Sequence, residues 1–488
     1  MSEPTVYELS SEGRFSITFP SLDIPETKIP DNLLREDVPL PELSELDVIR
    51  HFTNLSRLNY SIDEGFYPLG SCTMKYNPRI NEVTARNHGF ANTHPFQPVE
   101  TIQGNLAVMY ILQEWLKEIT GFVAASLQPA AGAQGEFVGS LMINAYHKSR
   151  NDNHRTNILI PDSAHGTNPA TSNMSGFDIV NIPTDNRGNI NLSALTEVCN
   201  KSTAGLMLTN PNTLGLFEEN VLEINDIIHK AGGLVYGDGA NLNALLGIVK
   251  PGELGFDIMH INLHKTFSTP HGGGGPGSGP VVVAKHLADF LPEPIVGIIE
   301  EGDDEIPPLY GFIYPKKSIG RMKSFHGHFS IIVRALTYLL MQGKDGLLEV
   351  SNHAVLNANY LMSLLKEDYT LPFDRICMHE FVLEGFWKDI EGIHALDIAK
   401  RLMDYGFHPP TNYFPLNVKE ALMIEPTETE SKQTLDRFVD AMLSIAKEAR
   451  ETPDLLTKAP HNTPVKRLDE VKAAKDLVLC CRFSDKHE

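Results

Sequence analysis

The clearest rhythm in the chain lies between Thr101 and Ile119. There Leu106, Met109, Tyr110, Leu112, Leu116 and Ile119 recur at the spacing of one helix face, and Gly121 follows as a stop. The pattern predicts an amphipathic helix. A second helix is expected from about Gln134 to Lys148, after the small-residue turn Pro129–Ala133. Short apolar runs then alternate with helical patterns: Asn157–Ile160, Phe177–Ile182, Ala204–Leu208, Gly233–Tyr236, Ile258–Asn262 and Pro280–Val283. Such alternation predicts a mostly parallel sheet with helices on both faces. After the acidic, Pro-rich loop Glu300–Pro308 the chain turns strongly helical from Ile331 to Lys366. The rest reads as a smaller α+β segment with a polar tail beyond Leu456.

Upstream, residues 1 to 60 are rich in proline and acid, with apolar stretches around Phe15–Phe19 and Leu43–Leu58. They suit an extended arm that ends in a helix and wraps a partner subunit. A chain of 488 residues has room for two or three domains. The expected division is an N-terminal arm and helix over 1–95, a large α/β domain over 96–325, and a small C-terminal domain with its tail over 326–488.

Charge narrows the range of partners. Asp and Glu number 62 against 41 Lys and Arg, a formal net charge of −21. No basic cluster offsets that charge locally, so a phosphate backbone would be repelled over most of the surface and nucleic acid is not expected. Met1–Arg14 is acidic and polar where a targeting peptide would be basic or apolar, and no apolar run long enough for a membrane span occurs. Cys72, Cys199, Cys377, Cys480 and Cys481 form neither metal spacing nor a disulfide framework. The reading is cytoplasmic, with no membrane partner and no metal.

Candidate chemistry concentrates in Phe256–Phe267 and the glycine run Gly272–Gly275 behind it. Lys265 stands where a buried strand breaks into a Gly-rich loop, at the sheet end where open α/β sheets bind ligands. A lysine there becomes a useful nucleophile if burial lowers its pKa. Asp238 ends another short apolar strand upstream. A carboxylate at that place can bond the pyridine nitrogen of pyridoxal 5′-phosphate (PLP) and keep the ring an electron sink. Ala240, on the same side of an extended chain as Asp238, could lie flat under the ring. Two further pieces fit around it. The turn Ala130–Gly135 opens a helix, and the N–H groups of Gly132, Ala133 and Gln134 could take the phosphate. The segment Pro161–Pro169 puts His165 at a strand end, where its imidazole could stack on the ring. Alone, Asp238 reads as a strand-end cap and His165 as structural; together with Lys265 they make a pocket.

These residues resemble a known family. Asp162–Ala170, Gly237–Asn241, His264–Phe267 with the His271–Gly277 loop, Pro68–Lys75, Pro409–Pro415 and Met423–Glu430 look like the P-protein of the glycine cleavage system, the decarboxylating glycine dehydrogenases. The resemblance implies a fold-type-I PLP-dependent transferase architecture, aminotransferase-like, with PLP held as a Schiff base on Lys265. It implies decarboxylation of glycine and transfer of the aminomethyl group to the lipoyl arm of the H-protein. Members of the family are either single chains of two related halves or split into two subunits. A half-sized chain that keeps the lysine resembles the second subunit, which implies a lysine-lacking glycine dehydrogenase subunit 1 as partner in an α2β2 heterotetramer.

Other residues stay open at this stage. His264 could touch the phosphate or the substrate carboxylate, or could support the strand end; Thr266 could bond phosphate or begin the next turn. His260 and His264 would fall on one face of a strand without a third ligand. Cys72, beside Lys75 in a polar turn, reads as structural at the mouth of the cleft. Arg321, Lys323, His326 and His328 read as a solvated basic loop. The competing functions are another fold-type-I PLP enzyme, such as an amino-acid decarboxylase or aminotransferase, and a PLP-binding subunit without chemistry.

Overall fold

The structure, a computed structural model, describes residues 3–35, 38, 40–273 and 275–477. Cys480, Cys481 and Gly274 of the glycine run lie outside the described residues. The chain divides into one unit of Met1–Gly65 with Lys458–Glu488 and a second of Phe66–Thr457.

In the first unit the arm is irregular apart from a short turn at Asp31–Leu33, and it reaches helix α1 (Glu45–Ser56). Ser44 starts that helix. Its hydroxyl accepts from Asp47 N–H while the Asp47 carboxylate accepts from Ser44 N–H, a reciprocal cap that satisfies two otherwise unpaired donors. Phe15 and Phe19 stand 74% and 81% exposed.

The second unit is built on strands β1 (Ala124–Ser126), β2 (Asn157–Pro161), β3 (Asp178–Ile182), β4 (Thr203–Thr209), β5 (Leu234–Gly239), β6 (Ile258–Ile261) and β7 (Val281–Val283). They form one seven-stranded sheet in the order β1-β7-β6-β5-β4-β2-β3. The five strands from β6 to β3 run parallel, while β7 runs against both β6 and β1. Every residue of β4, β5 and β6 is buried, which is why these strands read as unbroken apolar runs rather than as alternation.

Alternate side chains still separate two cores. Val235, Met259 and Ile261 face helix α2 (Gln103–Thr120) with its Leu106, Leu112 and Leu116. Leu234, Tyr236 and Ile258 face helix α3 (Gly132–Ser149) with its Val138, Met142 and Ile143. Both predicted helices are present, and Gly121 closes α2 at φ 76°, a left-handed position that favours glycine.

Helix α4 (Asn168–Met174) follows β2, and α5 (Val221–Ala231) joins β4 to β5. A hairpin of β8 (Ile295–Glu300) and β9 (Leu309–Ile313) flanks the acidic loop and carries no strand-like alternation in sequence. Helix α6 (Phe329–Leu365) covers the predicted helical run but breaks direction at Gly343, whose φ of 59° lies outside helical space. Beyond it, β10 (Phe381–Glu384), β11 (Thr411–Asn412) and β12 (Ala421–Ile424) make an antiparallel sheet in the order β10-β12-β11. Helices α7 (Ala395–Asp404) and α8 (Lys432–Glu451) pack with it around Phe381, Leu422, Ile424 and Phe438.

Candidate active site

Register brings the first site residues together. In the parallel ladder Thr209 of β4 pairs with Asp238 of β5, and Asp238 pairs with His260 of β6. Three polar side chains therefore end neighbouring strands at the carboxyl edge of the sheet. The chain then turns sharply: Lys265 N–H donates to Asn262 and Ser268 N–H donates to Lys265. Lys265 is left 7% exposed.

Asp238 is fully enclosed and richly partnered. It accepts from Ala240 N–H at 2.9 Å and from Asn168 Nδ2 at 3.2 Å, with His260 Nε2 at 3.5 Å and His165 Nδ1 at 3.9 Å. Burial would push this carboxyl up, but His260, His165, the Ala240 N–H and Lys265 together hold it below the usual carboxylate range. It stays ionised. His260 is backed in turn by the Tyr236 hydroxyl on its Nδ1. His165, whose N–H donates to Thr209 Oγ1, is pushed down by burial more than the Asp238 charge lifts it, so its ring is neutral near pH 7.

A helix N-terminus lies against His260 and Asn262. No side chain caps α3 at Ala131, so the N–H groups of Gly132, Ala133 and Gln134 carry the partial positive end of an 18-residue helix. The Gln134 side chain is used elsewhere, its Oε1 accepting from Ala130 N–H at 2.7 Å. A Cβ on Gly132 would come 2.7 Å from Asn262 Nδ2 and 3.0 Å from His260 Nε2, so glycine lets this turn sit against β6. Nearby, Thr266 Oγ1 is buried with no hydrogen-bond partner among the described residues. Orphaned polar atoms of this kind call for a ligand.

His264 is half-buried behind Lys265 among polar neighbours. Its Nδ1 accepts from Ser278 N–H at 3.3 Å, its Nε2 lies 3.3 Å from Asn262 Nδ2, and its ring meets His271 edge-on at 5.1 Å. Burial, then His271 and Lys265, push it down to about 3.

A second wall comes from the turn around Cys72. Ser71 and Thr73 hold φ of 59° and 44°, left-handed values that cost non-glycine residues strain. The turn is held by two buried carboxyls. Ser71 N–H and Oγ donate to Glu380 at 2.6 and 3.2 Å, and Thr73 N–H and Oγ1 donate to Glu425. Burial raises Glu380 well above the carboxylate range and Glu425 to about 7, with Glu425 lifting Glu380 further. The Cys72 thiol is raised by burial against the pull of Lys265, which disfavours a thiolate and agrees with a structural role. Lys75 is buried in an ion pair with Glu428 at 2.7 Å.

The basic group after the acidic loop needs correction. His328 Nδ1 bonds the Gly277 carbonyl, and the His326 ring packs 4.3 Å from Phe312, so these two side chains point into the fold while Arg321 alone stays exposed. Sequence reasoning also missed Glu136, Asn168, Glu380 and Glu425, and weighed His260 only as a metal ligand. The strand register would have found His260 beside Asp238. The two carboxyls that hold the Cys72 turn lie more than three hundred positions away along the chain, and no local signal marks them.

The pocket fits PLP. An ionised Asp238 would suit a protonated pyridine nitrogen, the α3 N-terminus a phosphate, and the Lys265 amine an aldehyde.

Comparison with known proteins adds independent findings. A family model described as glycine cleavage system P-protein matches residues 16–311, and one for a glycine dehydrogenase C-terminal domain matches residues 350–466. The chain is 57% identical over 479 residues to a probable glycine dehydrogenase (decarboxylating) subunit 2 of Alkaliphilus oremlandii, covering 97% of each. A protein of the same description from Caldanaerobacter subterraneus is 57% identical over 480 residues, covering 97% of this chain and 98% of its own. Among solved structures, an inhibitor-bound glycine decarboxylase (P-protein) superposes with a TM-score of 0.72 at 23% identity, over 86% of this chain and 93% of that one. A cysteine desulfurase from Thermococcus onnurineus shares the fold at a TM-score of 0.58 and 14% identity, over 80% of this chain and 98% of that one.

Proposed function

The chain belongs to the glycine cleavage system P-protein family, and from that premise we propose how its own residues carry out the PLP-dependent decarboxylation of glycine. The observation that carries the assignment is Lys265 at the end of β6, beside an ionised Asp238 and a neutral His165. When bound, PLP supplies a protonated pyridine ring that takes up the electron pair left as carbon dioxide departs from glycine. Asp238 holds the proton on the pyridine nitrogen. His165 would stack on the ring, and Ala240 would lie under it. Gly132, Ala133 and Gln134 present backbone N–H groups to the phosphate, joined by the orphaned Thr266 hydroxyl. His264 positions the glycine loop behind Lys265. Lys265 would anchor the cofactor through its amine.

The aminomethyl group left behind goes to a lipoyl disulfide on the H-protein: a carbon–sulfur bond forms, the sulfur–sulfur bond breaks, and the second sulfur leaves as a thiol. The relatives are second subunits, which implies a subunit 1; we read the assembly as an α2β2 heterotetramer. In this reading residues 96–325 form the cofactor domain, 326–488 the small domain and tail, and 1–95 an arm whose exposed Phe15 and Phe19 cover subunit 1. Free Cys72, Cys199 and Cys377 suit a reducing compartment, and we place the reaction in the cytoplasm.

The test has two parts. Protein incubated with PLP should absorb in the visible, and Lys265→Ala should abolish the band. Exchange of labelled carbon dioxide into glycine should require subunit 1 and lipoylated H-protein. Exchange into another amino acid but not glycine would overturn the assignment.

A further inference from the structure

Glu136 has no part in the mechanism above, yet it lies in the same pocket. It points from the first turns of α3 toward Asp238, its side chain 2% exposed. Thr167 Oγ1 donates to its Oε1 at 2.7 Å and Thr171 Oγ1 to its Oε2 at 3.2 Å. The same Thr167 oxygen lies 3.1 Å from His165 Nδ1. A single hydroxyl thus bridges a buried carboxyl and the imidazole at the cofactor face.

We propose that Glu136 is a positioning residue that sets the tautomer of His165 through Thr167, and so decides which imidazole nitrogen offers a proton to the cofactor. The reasoning is a count of protons. A hydroxyl owns one hydrogen. While Thr167 donates it to an ionised Glu136, Thr167 can only accept from His165, so the imidazole carries its proton on Nδ1 and Nε2 is bare. When Glu136 is protonated, its O–H donates to Thr167, Thr167 donates to Nδ1, and the imidazole proton sits on Nε2. The two states interconvert by a balanced relay. A proton arriving at Nε2 is matched by transfer of the Nδ1 proton to Thr167 and of the Thr167 proton to Glu136. The ring ends neutral and Glu136 ends uncharged.

The surroundings favour such an exchange. Burial and then the charge of Asp238 push Glu136 up to about 7, where both of its states are populated near neutral pH. The groups facing the relay are Asp238 and Tyr236 of β5, His260 of β6, Lys265 beyond it, and Asn168 and Thr171 of α4. Asp238 stays ionised throughout, so Glu136 is the carboxyl that gains or loses a proton. Burial shifts His165 toward the neutral ring, and in that state its tautomer is the variable that remains.

The inference rests on the reading of His165 at the cofactor face, and its test needs no cofactor. In apo protein carrying 15N-labelled histidine rings, the His165 signal is assigned by its loss in His165→Asn. Its Nδ1 and Nε2 shifts should exchange character between pH 5.5 and 8.5, the range that spans about 7. In Glu136→Gln, whose amide does not titrate, and in Thr167→Val, the exchange should vanish. Thr167→Ser, which restores the hydroxyl, should restore it. Circular dichroism establishes that each variant is folded. Exchange that persists unchanged in both Gln and Val variants, or a wild-type ring that keeps one tautomer across the range, would overturn the proposal. Neither result would touch the visible band on Lys265, so failure here is distinct from failure of the functional assignment.

Discussion

Asp238 and His260 face each other across two parallel strands in direct register, with Oδ1 and Nε2 3.5 Å apart. The pairing arises from the ladder itself, so the acid we propose for the cofactor nitrogen has a fixed polar neighbour before any ligand binds. Because the Tyr236 hydroxyl holds the far side of that imidazole, the carboxylate sits at the end of a buried chain of three side chains.

Asp238→Asn removes the charge that keeps the pyridine nitrogen protonated. Glycine-dependent carbon dioxide exchange should fall on the order of 100-fold, and PLP should bind more weakly. His260→Leu should act in the same direction but less severely, since Asn168 and Ala240 still reach the carboxylate. Exchange kinetics and cofactor titration check both, and an Asn variant as active as wild type would remove Asp238 from this role.

Gly132→Ala tests the phosphate end. The added methyl meets Asn262 and His260 at 2.7 and 3.0 Å, and both are held in place by buried neighbours. Overpacking of this kind costs about 1–3 kcal/mol. The thermal midpoint should drop, and the PLP dissociation constant should rise even where the variant folds.

Glu425 gives a pH dependence whose sign runs against the usual carboxylate pattern. Its carboxyl is raised in the folded protein from 4.5 to about 7, so the folded state binds more protons between those values and stability falls as pH rises through that window. The contribution is about 3 kcal/mol at most when complete. Denaturant unfolding from pH 5 to 8 should show Glu425→Gln gaining on wild type as pH rises; parallel curves would show that the carboxyl does not titrate there.

Limited proteolysis tests the arm. Cleavage within residues 1–60 should slow when subunit 1 is added, because the exposed Phe15 and Phe19 become covered. Equal cleavage with and without subunit 1 would count against the arm as a wrapping element.

Lys265, Asp238 and His165 were legible because each stands where an apolar run stops, and strand ends are local events in a sequence. The long helices were legible for the same reason, through Leu106 to Leu116 and the Gly121 stop. Glu136 was not, since a single acid on the first turns of α3 reads as ordinary helix polarity until the fold turns it inward. Glu380 and Glu425 border strands of a different sheet and meet the Cys72 turn only after folding. The β8–β9 hairpin escaped because Ile295–Ile299 is nearly all apolar and gives no alternation. The break at Gly343 escaped because one glycine inside a long helical run does not announce its φ.

The four hydrogen bonds from Ser71 and Thr73 to Glu380 and Glu425 have a mechanical consequence. Glu380 directly precedes β10 and Glu425 directly follows β12. The turn is therefore riveted at Glu380 and Glu425 to the ends of two strands of the small sheet, and Glu425 N–H returns the grip by donating to Pro68. Displacing the turn from that sheet would strand two buried acids, so the wall beside Lys265 is built on the C-terminal sheet as much as on its own loop.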